Sequence, residues 1–129
     1  MIVVDCAAVV DVLTGVEGSD PLRSRLLAED LHAPALLDYE VVSALRRLVR
    51  RGALSADGAT GVLADYSDLA VERWAAHDAL RRRAWVLREN VSAYDAAYVA
   101  LAEALECPLV TRDTRLARTP GHGALVEVL

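Results

Sequence analysis

A chain of 129 residues, 54% apolar and 26% charged, is long enough to bury one core and too short for two ordinary ones. Its net charge of −5 excludes attraction to nucleic acid by overall charge, so a polyanion would need a local basic patch or bridging cations. All 14 basic residues are arginine, which excludes any mechanism that needs a lysine, the P-loop phosphate grip included.

The chain opens on Ile2-Val3-Val4, a β-branched run without alternation that predicts a strand buried on both faces. CAAVVDVLTG follows as a short helix stopped by Gly15. Asp20 and Pro21 predict the start of a second helix, with Asp20 as N-cap and Pro21 at the first helical position. LHAPA is a short extended piece, and LLDYEVVSALRRLVRRG is a helix ending at Gly52 with a stripe of Leu37, Val41, Ala44, Leu45 and Leu48. Ser55 caps a helix over about 56–67, LAVERW is a strand, and residues 77–88 return to helix. Ser92 starts another helix, LVT is a strand, and LVEVL closes the chain as the last strand. This alternation predicts a single α/β domain over residues 1–129, with a mainly parallel sheet and helices on both faces.

Cys6 and Cys107 form no metal or redox spacing and are expected to be free, buried thiols. His32, His77 and His122 form no metal spacing either, and are expected on the surface or in loops. No basic leader precedes the first apolar run, and no span approaches the ~18 apolar residues of a membrane helix. The expectation is a cytoplasmic protein without a membrane contact.

In a parallel α/β sheet, ligands sit beyond the carboxyl ends of the strands. Asp5 directly follows the first strand and Asp113 follows LVT. If these strands are neighbours, so are the carboxylates. Asp95 and Glu40 lie in the first turns of their helices, on the same edge of such a domain. Each has a purely local alternative. Ser92-x-x-Asp95 also reads as a capping box, and a first-turn Glu40 favours its helix dipole. Four carboxylates facing one crevice would repel one another. Oxygen-only ligands point to Mg²⁺, with Mn²⁺ as the alternative, rather than zinc.

The ordered set VVDCAAVVDVL, APALLDYEVVSALRRLVRRG and YDAAYVALAEALECPLVTRDTRLAR resembles the PIN domain, in particular the VapC-type toxins of bacterial toxin–antitoxin pairs. The resemblance spans essentially the whole chain. It implies an α/β/α sandwich around a mainly parallel five-stranded sheet. It also implies a Mg²⁺-dependent endoribonuclease with Asp5, Glu40, Asp95 and Asp113 as the acidic quartet and Thr111 as its supporting hydroxyl. A VapB-type antitoxin, an RNA substrate and a second copy of the chain are the implied partners. Ala7 stands where the family often has Ser or Thr, Ser43 where it often has Asn, and no acid follows Asp113 closely.

On this reading, metal-activated water attacks a phosphodiester in line. Arg112 and Arg115, with Arg118, follow LVT at the right edge to meet phosphate. Arg46, Arg47, Arg50 and Arg51 are either a second phosphate surface or a solvated face complementing the helix C-terminus. Tyr39 and Tyr94 each precede a site acid, which singles them out for base stacking. Receiver and haloacid-dehalogenase-like folds would need a paired acid after the first strand and a lysine, both missing here. The remaining alternative is a PIN fold that only docks a protein or RNA, with Ala7 and Ser43 as its weakened support.

Overall fold

The computed structural model describes residues 1–129. Its strands are β1 (Ile2–Val4), β2 (Leu31–Pro34), β3 (Val71–Trp74), β4 (Leu109–Thr111) and β5 (Val126–Val128). They form one sheet in the order β3-β2-β1-β4-β5, with every pair parallel. The helices are α1 (Cys6–Thr14), α2 (Asp20–Leu27), α3 (Leu37–Arg50), α4 (Ala56–Asp68), α5 (Asp78–Val86), α6 (Ala93–Leu105) and α7 (Thr114–Arg118).

The topology follows from where the chain turns back. From β1 it steps outward to β2 and then β3. It then returns across the sheet to β4, on the other side of β1. Right-handed crossovers place α1 to α4 on one face and α5 and α6 on the other. The contacts agree, since α1 packs on α3 and α4, and α6 packs on α5 and lies across β1, β2 and β4. The order reverses between β1 and β4, and that is the crevice where such folds bind ligands.

Burial explains the element sequences. β1 and β4 are covered on both faces and are buried at every position, as their β-branched character requires. α6 buries Ala96, Val99, Ala100, Leu101 and Ala102, and its alanines let it lie close to the sheet. Gly15 ends α1 with φ 68°, giving its N–H to the carbonyls of Asp11 and Val12, a conformation that suits glycine.

Three local expectations need correction. α2 begins at Asp20 with Ser19 at the cap, so Pro21 is its second residue. α7 was not foreseen between the last two strands. His32 is buried on β2, where its Nδ1 accepts a hydrogen bond from the Trp74 indole at 3.0 Å, so it is a core residue rather than a surface one.

Candidate active site

Asp5 leaves β1 and caps α1, its Oδ1 accepting the Ala8 N–H at 2.9 Å. Val3 and Val4 pair with Leu109 and Val110 of β4, so the next residues along, Asp5 and Thr111, end their strands side by side. The fully buried Thr111 hydroxyl donates to Asp5 Oδ2 and accepts the Asp113 N–H at 2.9 Å. One hydroxyl therefore orients two acids. Burial pushes the Asp5 carboxyl up to about 6, the bonds from Thr111 and Ala8 oppose this, and the charges of Asp95 and Asp113 add to it.

Thr111→Val keeps the shape and removes that hydroxyl. We expect a loss of about 1–3 kcal/mol in thermal stability, because a buried carboxylate oxygen and an N–H lose their partner. We also expect about 10- to 100-fold weaker divalent-ion binding by calorimetry. Unchanged ion binding would show that the hydroxyl does not orient the acids.

Glu40 stands in the first turn of α3 and reaches across to α6, where Tyr98 donates its hydroxyl to Oε1 at 2.6 Å. Burial raises the Glu40 carboxyl, the Tyr98 bond lowers it, and nearby Asp95 raises it further. Burial and Glu40 together hold the Tyr98 phenol far above its ordinary value, so it stays a donor. Tyr98 is a residue of the cleft that sequence reasoning does not single out. Its signal was its spacing, three positions after Asp95 and so on the same face of α6.

Asp95 forms only half of a capping box. Its N–H donates to Ser92 Oγ at 3.3 Å, while its carboxylate lines the cleft instead of returning a bond to Ser92. Asp113 caps α7 by accepting the Arg115 N–H at 2.8 Å. The Arg115 Nη2 lies 3.1 Å from Asp113 and 3.6 Å from Asp95, bridging the two. Slight burial pushes Asp113 up, but the bonds from Arg115 outweigh it and hold the carboxyl below its ordinary value.

All four acids line one open cleft of about 1080 Å³. Ser43 also lines it, its hydroxyl accepting from Arg47 at 3.2 Å. So do Arg46, Arg47, Arg50 and Arg51, which places them with the acids rather than on a remote solvated face. The steps 40, 43, 47 and 51 keep one side of a helix. Arg112 does not line the cleft; it is tied to Asp11 at 2.9 Å and to the Leu129 carbonyl at 2.9 Å. Cys6 borders the cleft too, but burial and the charges of Glu40 and Asp5 push its thiol up to about 12, which leaves it protonated and a poor nucleophile.

As placed, with Arg115 across Asp95 and Asp113, no three acids converge tightly enough to grip an ion. The donor set nonetheless fits a hard divalent cation. It is all oxygen, and the charges of Asp95 and Asp113 raise the proton affinity of Asp5, as that of Asp95 does for Glu40, a repulsion that a shared positive charge would relieve.

A family model described as "PIN domain" matches residues 2–122. A VapC ribonuclease of Mycobacterium bovis is 46% identical over 119 residues, covering 92% of this chain and 91% of the relative. Ribonuclease VapC12 of Mycobacterium tuberculosis is 39% identical over 129 residues, covering 100% of this chain and 99% of the relative. Among solved structures, VapBC2 from Rickettsia felis, bound to a DNA fragment from its promoter, contains a chain of similar fold. Its TM-score is 0.73 at 14% identity, over 100% of this chain and 99% of that one.

Proposed function

The chain belongs to the PIN-domain family, and on that premise we propose that it is a divalent-metal-dependent endoribonuclease, the toxin of a toxin–antitoxin pair. The observation that carries the reading is the meeting of Asp5, Glu40, Asp95 and Asp113 at one cleft on the carboxyl edge of the sheet. The relatives named VapC ribonucleases support it. A VapB-type antitoxin that covers the cleft and a second copy of this chain are the proposed protein partners.

Asp5, Glu40, Asp95 and Asp113 would hold Mg²⁺ or Mn²⁺. Such an ion supplies a more acidic water and offsets charge developing on phosphoryl oxygens. Thr111 keeps Asp5 turned into the cleft, and Tyr98 does the same for Glu40. The α3 arginines draw the phosphate backbone toward an acidic floor that would otherwise repel it. Arg115 has a side chain 77% exposed and can exchange its carboxylates for a phosphate. Arg112, held by Asp11, has a structural duty instead.

The test is incubation of the purified chain, free of antitoxin, with mixed cellular RNA in Mg²⁺, Mn²⁺ or EDTA, beside Asp95→Asn. Discrete cuts that vanish in EDTA and in the variant are the expected result. Cuts that survive Asp95→Asn would sink the assigned quartet. A folded chain that cuts nothing in either metal would favour a fold that only binds.

A further inference from the structure

The four tyrosines divide into two pairs. Tyr66 and Tyr98 are buried, and their hydroxyls bond to Asp38 and Glu40. Tyr39 and Tyr94 are 83% and 68% exposed, and neither hydroxyl bonds within the protein. Each directly precedes a site acid, Glu40 or Asp95, in the first turn of α3 or α6. Both line the cleft. The fold makes no use of either ring, yet it places one on each of the two helices that carry the acids.

The same cleft is lined by Arg46 and Arg50 of α3 and by Arg51 at its C-cap, none of which pairs with an acid of the protein. Arg46 and Arg50 stand one helical turn apart, a rise of about 6 Å. Exposed rings and unpaired guanidinium groups in one cleft form the combination that grips single-stranded nucleic acid: stacking for bases and positive charge for phosphates. The unpaired guanidinium groups favour an anionic strand over an uncharged peptide.

We infer that Tyr39 and Tyr94 stack on unpaired bases of the bound strand and so position its backbone over the four acids. This rests on the ribonuclease reading and extends it to how the strand is held. In a duplex the bases already stack on one another and their faces are closed to a side chain. The cleft therefore selects unpaired RNA. Stacking needs a ring but no hydroxyl and tolerates any base, so the two tyrosines control placement of the strand more than its sequence.

The experiment measures binding of a short mixed-sequence RNA carrying one 2-aminopurine, alone and annealed to its complement. The chains are the unaltered protein, Tyr39→Ala, Tyr94→Ala and the two Tyr→Phe variants. Binding is read in EDTA and, within seconds of mixing, in Mg²⁺. The expected result is tighter binding of the single strand than of the duplex, with the 2-aminopurine fluorescence quenched. Each alanine weakens single-strand binding by about 5- to 100-fold and restores fluorescence, while each phenylalanine stays near the unaltered chain. Equal losses on single strand and duplex, or phenylalanine as damaging as alanine, would overturn the inference. Alanine variants that keep full RNA affinity would overturn it as well. If the unaltered chain binds neither RNA, the ribonuclease reading falls and takes this inference with it; unaltered binding with indifferent tyrosines removes this inference alone.

Discussion

Asp5→Asn is expected to reduce RNA cleavage by more than about 100-fold while leaving the metal-free fold as stable as before or more so. The activity loss follows from removing a ligand outright, since merely removing a ligand's supporting partner typically costs about 10- to 100-fold. The stability gain follows from the position of Asp5. Its carboxyl is pushed from an ordinary 3.8 to about 6, chiefly by burial, so the charged form is held at a disadvantage of about 3 kcal/mol at neutral pH. An amide avoids that penalty and can still cap α1 through its oxygen, because Asn caps helices about as well as Asp. Its NH₂ can donate to the Thr111 hydroxyl, which has a second lone pair beside the one taken by Asp113 N–H. The measurements are cleavage rate in Mg²⁺ and Tm in EDTA at pH 7. A variant that loses both activity and several degrees of Tm would mean that Asp5 serves the fold first.

Much of this arrangement is legible in the sequence because each piece has a local cause. Ser55 and Ser92 announce their helices by capping them, and the unbroken apolar runs of β1 and β4 announce a sheet covered on both sides. The convergence of Asp5 and Asp113 depended on β1 and β4 being neighbours, which sequence could pose only as a condition and the strand order satisfies. What stayed hidden was set by direction and by distant partners. Successive side chains leave an extended segment on opposite sides. With Thr111 turned to Asp5 and Asp113 lining the cleft, Arg112 between them turns away to Asp11. α7 is five residues long, too short for apolar periodicity, and its one cue is the cap Asp113, which its place among the four acids masked. His32 is buried through a partner 42 positions away, a separation that no local pattern reports.

The pH dependence of stability is the sharper test of how the acids are coupled to the fold. Asp5 and Glu40 are both raised, so the folded state holds their protons more tightly than the unfolded chain does. Their contribution is present in full below the ordinary carboxyl range and is lost as pH rises through the folded values. For Asp5 the window runs from 3.8 to about 6, and the loss is about 3 kcal/mol by pH 7. Asp113 has the opposite sign: it is lowered, and its contribution disappears as pH falls. Other carboxylates, such as Glu29 and Glu103, are also lowered, so the unaltered chain alone shows only a sum. Comparing it with Asp5→Asn in EDTA isolates the one group. The variant's advantage should grow by about 2 kcal/mol between pH 4 and pH 7 and then level off. Mg²⁺, which needs the charged carboxylates, should raise the Tm of the unaltered chain at pH 7, do little at pH 4, and leave Asp5→Asn nearly unmoved at both. If the advantage is the same at every pH, Asp5 titrates as it would in water, and burial is not what makes its carboxylate ready for a cation. If the advantage grows with pH but Mg²⁺ protects both chains equally, the buried charge is real and the ion binds elsewhere.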